Sequence, residues 1–305
     1  MLLFLPHSIY ASTTTASSYT LMDYETGRII SAKNQNKASL VASISKIMTA
    51  LIAIQSGKLD QEVTVDDTIL KAYGSCIYIE VGEKLTLRDL VYGLMLRSGN
   101  DAALMISKFV SGSEKEFVKQ MNEKAHKLGM KNSTFNNPSG LDETDGNYSS
   151  SYDMALLMRE ALKYEEFRKI TSTKKYKLKT NYKTYIWNNK NKLLTNDFII
   201  GGKTGYTKKA GRTLVSAANI DNNTFIVVTI KDSDDWNTHL SLYDTIRGKY
   251  QKYTLLSKNN FNVENTFYKD KVYIKKSLII PLTKEESQNI CLLYTSDAAD
   301  DLLCV

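Results

Sequence analysis

The chain has 305 residues, 42% hydrophobic and 24% charged, with a net charge of +7. That length and balance can bury a sizeable core and exclude a disordered or collagen-like chain. Three scattered cysteines (Cys76, Cys291, Cys304) and three scattered histidines (His7, His126, His239) give neither a disulfide framework nor metal-ligand spacing, so no metal or cofactor is expected.

At the start, Met1-Leu2-Leu3-Phe4-Leu5, Pro6 and Tyr10-Ala11-Ser12 read as the end of a secretory signal, with residues 1–11 its remnant. No later run approaches the ~20 apolar residues of a membrane span. Residues 18–31 predict a hairpin turning at Glu25-Thr26-Gly27. From Ser43 the period becomes helical, with Ile47, Met48, Leu51, Ile52 and Ile54 on one face and Gly57 as the stop. A second apolar helix runs from Leu87 to Leu96, breaks at Ser98-Gly99-Asn100 and resumes at Asp101. Ser113 and Glu116 form the sequence pattern of a capping box, and Gly129 ends that helix. Another helix turns Met154, Leu157, Met158, Ala161 and Leu162 inward.

Strands follow. Phe198-Ile199-Ile200 leads into Gly201-Gly202-Lys203-Thr204-Gly205, and Asp221-Asn222-Asn223 turns a hairpin whose second strand, Phe225–Ile230, is apolar on both faces and so central. A last helix is expected over about Trp236–Tyr250. Together these predict an α+β protein, an antiparallel sheet with a segregated helical block. Residues 168–192 carry nine Lys or Arg and no acid. The alternation Lys175-Tyr176-Lys177-Leu178-Lys179 reads as a solvated strand face, and no nucleic-acid signature accompanies it.

Three short patterns can carry chemistry. Ser43-Ile44-Ser45-Lys46 puts a serine at a helix start and a lysine one turn on, where the lysine can take the hydroxyl proton if it is desolvated. Ser98-Gly99-Asn100 breaks two apolar helices. Lys203-Thr204-Gly205 closes an apolar strand, where glycine lets a substrate backbone lie close. Each alone has a plain structural explanation: a chance pair, a helix–helix turn, a strand exit. Neither His126 nor His239 sits where Ser-His-Asp chemistry would need it.

In this order the three patterns resemble the Ser-x-x-Lys, Ser-x-Asn and Lys-Thr-Gly elements of penicillin-binding proteins and serine β-lactamases. Residues 42–49, 96–103, Asn137-Pro138-Ser139-Gly140-Leu141-Asp142, 202–207 and 210–215 extend the resemblance. They are similar to the D-alanyl-D-alanine carboxypeptidases of peptidase family S11, over about residues 18–250. The resemblance implies the five-stranded antiparallel sheet of that fold. It implies Ser43 as nucleophile, Lys46 as general base, and Ser98 with Lys203 relaying a proton to the leaving D-alanine. It also implies Asn100 bonding substrate or Lys46, an oxyanion hole from the N–H groups of Ser43 and Tyr206, and Lys203, Thr204 and Gly205 lining the substrate strand.

Implied partners are peptidoglycan stem peptides, with β-lactam antibiotics as covalent inhibitors and no nucleic acid. The implied location is extracytoplasmic, secreted or at the outer face of the bacterial membrane. Some relatives bind the substrate carboxylate with an Arg between the last strand and last helix; Lys231–Asn237 has none, leaving Lys203 and Thr204 alone, or Arg212. Cys76 is expected to be a packed thiol. Residues 12–255 form the expected catalytic domain and 256–290 the start of an incomplete β-rich one. Residues 291–305 resemble translated adapter sequence, and the membrane anchor that the family commonly carries is not expected within this chain. A serine β-lactamase, which would need a deacylating carboxylate where Glu143 and Asp145 lie without the expected context, and a D,D-endopeptidase are the alternatives.

Overall fold

The computed structural model describes residues 14–142, 145–258 and 274–289. Residues 1–11, Glu143, much of 256–290 and 291–305 lie outside the described residues.

The first strands are β1 (Ser18–Asp23) and β2 (Ile29–Lys33), paired antiparallel around the 24–28 turn as predicted. After β3 (Ser39–Leu40), a short 3-10 turn over Ala42–Ser45 runs straight into α1 (Lys46–Gln55). Nine of the ten residues of α1 are buried, which is why its sequence is apolar almost all round. Then β4 (Glu62–Thr64) pairs with β5 (Lys84–Thr86), and a full capping box between Thr86 and Asp89 starts α2 (Leu87–Tyr92). From Gly93 to Arg97 the helix widens to a π turn, and Ser98 ends it in the left-handed region at φ 66°.

The chain restarts at once as α3 (Asn100–Ser111), followed by α4 (Glu114–Lys127). Ser113 Oγ accepts from Glu116 N (3.2 Å), so only half of the predicted capping box forms. Next come β6 (Tyr148–Ser149), paired with β3, then α5 (Ser151–Ala161) and α6 (Glu165–Ser172). Helix α6 was not legible in the sequence. Its basic neighbourhood hides a short buried stripe of Phe167 and Ile170.

The basic ribbon is the antiparallel pair β7 (Lys175–Lys179) and β8 (Thr184–Asn188), with its lysines outward and Tyr176, Tyr185 and Trp187 inward. Three long strands follow: β9 (Ile199–Thr207), β10 (Gly211–Ile220) and β11 (Asn223–Ile230). Asp221 and Asn222 both have positive φ, the mirror-image turn that matches strand twist.

The sheet order is β2-β1-β11-β10-β9, so the strand read as central is central and the one carrying Lys203 is an edge. On one face Val215, Ala217, Ile226, Val228 and Ile230 join the helical core. On the other, α7 (Asp235–Asp244) packs through His239, which bonds Ser216 (2.7 Å) and Thr229 (3.2 Å). Helix α7 ends six residues before the predicted Tyr250.

The chain divides into two compact units. One comprises, of the described residues, 14–142, 145–219 and 224–243, holding the helical block and most of the sheet. The other comprises, of the described residues, 220–223, 244–258 and 274–289. It contains β12 (Gln251–Leu256), paired with β13 (Leu278–Leu282), and the short α8 (Lys284–Gln288). Among the described residues no helix is long and apolar enough to cross a membrane.

Candidate active site

The site begins with Ala42, whose φ of 50° turns the chain so that Ser43 enters the 3-10 turn at the head of α1. Lys46 is the first residue of α1 proper and is fully buried. Its Nζ donates to Ser43 Oγ (3.0 Å), Asn100 Oδ1 (2.7 Å) and Ser139 O. Three acceptors thus hold one amine, and one of them is the half-buried hydroxyl a nucleophile would need.

Each acceptor is itself fixed. Asn100 Nδ2 donates to Tyr73 O (2.6 Å) and Asn100 N to Ser75 O (2.7 Å), which orients the side-chain oxygen toward Lys46. Ser139 belongs to a loop organised by two asparagines. Asn137 Oδ1 accepts from Ser139 N (3.1 Å), Ser139 Oγ (3.0 Å) and Gly140 N (2.6 Å). Asn147 Oδ1 accepts from the N–H groups of Asn136 and Asn137. Thr49 on α1 donates to Pro138 O (2.7 Å), docking the loop on the helix. A Cβ on Gly140 would fall 2.1 Å from Ala42 O, so only glycine fits there.

Burial is the main force on the amines. It pulls the Lys46 pKa down to about 7; the positive charge of Lys190 adds to this and Asp101 opposes it. Lys203 is equally buried and lies well below the usual lysine range, through burial first and then repulsion by Lys46 and Lys190. Two amines so placed cannot both hold a proton cheaply. For both amines complete burial is the leading cause, with neighbouring positive charge second.

Edge strand β9 brings the third motif. A Cβ on Gly205 would stand 2.4 Å from Thr213 Oγ1 and 3.0 Å from Ser43 N, so strand and nucleophile turn are in direct contact at the glycine. Lys203 Nζ donates to Thr204 O (2.7 Å). Thr204 is half-buried, and Tyr206 is 66% exposed at the strand end. Ser98 is 5% exposed, and its hydroxyl makes no hydrogen bond to Ser43, Lys46 or Lys203 among the described residues. Arg212 is engaged elsewhere: Nη2 and Nε bond Asp235 Oδ1 (2.6 and 3.0 Å), and its guanidinium lies over Trp236.

Two functional candidates escaped the sequence reading. Asp101 is not chiefly a helix cap: its carboxylate accepts from the N–H groups of Ile77 and Tyr78 (3.0 and 2.7 Å), holding the loop beside Asn100. Lys190 was counted among solvated charges, yet it acts electrostatically on both buried lysines. Cys76 is half-buried, and burial raises its thiol pKa, as for an unreactive thiol.

A half-buried serine beside a buried lysine at a helix start, facing the edge strand of a five-stranded antiparallel sheet, defines a class of acyl-transfer serine enzymes. The family model for D-alanyl-D-alanine carboxypeptidase (peptidase S11) matches residues 6–234, and the chain belongs to this family. It is 36% identical over 295 residues to the D-alanyl-D-alanine carboxypeptidase DacF of Bacillus subtilis, covering 93% of this chain and 74% of the relative. With DacD of Escherichia coli the identity is 33% over 238 residues, 72% of this chain but only 58% of the relative. The structure is similar to a D-alanyl-D-alanine carboxypeptidase of Mycobacterium tuberculosis (TM-score 0.73, 29% identity, 77% of this chain, 91% of that one). It is also similar to DacD of Francisella tularensis (TM-score 0.77, 26% identity, 93% and 86%).

Proposed function

We propose that this chain is a serine D-Ala-D-Ala carboxypeptidase that removes the terminal D-alanine from peptidoglycan pentapeptide stems. Ser43 Oγ attacks the carbonyl between the two D-alanines while Lys46, entering neutral, takes its proton. The N–H groups of Ser43 and Tyr206 receive the oxyanion as charge develops. The proton then passes by way of Ser98 and Lys203 to the departing amine, and Asn100 keeps Lys46 in register. Water releases the acyl group with the same lysine as base. Lys203 and Thr204 receive the C-terminal carboxylate, whose charge favours the protonated form of Lys203. Penicillins acylate Ser43 by the same attack.

The observation that carries this proposal is the fully buried Lys46 amine, 3.0 Å from Ser43 Oγ and with a pKa near 7. A base must be largely unprotonated at working pH, and an ordinary lysine is not. Residues 12–255 are taken as the catalytic domain, acting outside the cytoplasm on the cell wall. Incubation with a diacyl-Lys-D-Ala-D-Ala peptide should release one equivalent of D-alanine per peptide. Sustained turnover of penicillin with no D-alanine release would instead mark a β-lactamase.

A further inference from the structure

Lys190 follows β8 and is held from two sides. Its N–H donates to Leu96 O (3.1 Å), two residues before Ser98. The next residue, Asn191, abuts β9: a Cβ on Gly202 would stand 3.1 Å from Asn191 Nδ2. Lys190 is therefore clamped between the turn of Ser98-Gly99-Asn100 and the strand that carries Lys203. Its ammonium is accessible to solvent and meets a neutral partner, Ser75 Oγ at 3.3 Å, with no carboxylate near it among the described residues.

Of the other cations around it, Arg97 donates to Asn188 O (3.3 Å). Lys46 and Lys203 are fully buried, and Arg212 is paired with buried Asp235. Its charge disfavours protonation of both buried amines, and is itself disfavoured by burial and by Arg97. An anion bound between Lys190 and Lys203 offsets all of it at once.

We propose that Lys190 is a specificity-determining residue: its ammonium receives the C-terminal carboxylate of the incoming peptide at the mouth between Ser98 and Thr204, selecting chains that end in a free carboxylate. This rests on the assignment of Ser43 as nucleophile toward such peptides.

The test compares the second-order rate of acylation by benzylpenicillin with that by its methyl ester, in the wild type, Lys190→Met and Lys190→Arg. Any change in Lys46 basicity moves both reagents alike, so their ratio isolates the carboxylate contact. Lys190→Met should slow the free acid roughly tenfold or more while leaving the ester within about threefold, and Lys190→Arg should retain most of the acid rate. Equal slowing of both reagents, or of neither, overturns the proposal. A wild type that neither reagent acylates strikes the Ser43 assignment itself, and the selectivity with it.

Discussion

At the scale of single residues, the account turns on the state of one amine. With its pKa near 7, Lys46 is protonated in acid and neutral in mild base. The acylation rate should climb about tenfold per pH unit below 7 and level off above it. A profile flat from pH 5.5 to 8.5 would contradict this. Asn100→Asp puts a carboxylate where a neutral oxygen now sits 2.7 Å from Lys46 Nζ. An opposite charge stabilises the ammonium, so the midpoint of the profile should move up by at least about one unit. Lys46→Arg, charged at every accessible pH, should lose roughly a hundredfold or more of the acylation rate while remaining folded.

At the scale of elements, the site depends on close approaches that only small residues permit. An alanine at Gly205 would crowd Thr213 Oγ1, which donates to Val41 O (2.9 Å), and would press on Ser43 N. Gly205→Ala should separate β9 from the nucleophile turn and cut acylation by roughly a hundredfold. It should also cost about 1–3 kcal/mol of stability, with far-UV circular dichroism unchanged. Asn137→Ala removes one acceptor from three donors of the Ser139 loop, a loss of roughly 2–3 kcal/mol by urea unfolding.

These elements also show what the sequence could say. The period of α1, the central apolar strand β11 and the Asp221-Asn222 turn were legible because each rests on local chemistry. The three motifs were legible as residue types in order. Asp101 and Lys190 were not, because their partners lie 24 residues away in the Ile77 loop and 94 away at Leu96. A charged residue in a charged stretch gives no local sign that the fold will turn it toward a cleft.

At the scale of the whole molecule, burying Lys46 and Lys203 opposes folding at neutral pH. In the unfolded chain both amines titrate near 10.5, and in the fold both lie lower. Between pH 7 and 9 the unfolded state therefore binds more protons, so stability should rise with pH across that window, by on the order of 1–3 kcal/mol. Above the window, unfolded tyrosines begin to ionise while Tyr176 and Tyr185 are held neutral by burial, and the trend reverses. Urea unfolding at pH 7 and 9 reads this directly, and Lys46→Met should shrink the difference to the share of Lys203. Stability that falls from pH 7 to 9 would mean the two lysines are not buried as described.

The central claim is that Ser43 is the acylated residue and Lys46 its base. Incubation with benzylpenicillin, followed by intact mass measurement and peptide mapping, tests it most directly. The wild type should gain one penicilloyl group on the peptide containing Ser43, and Ser43→Ala should gain none. An adduct on another residue, or one that persists in Ser43→Ala, would contradict the assignment.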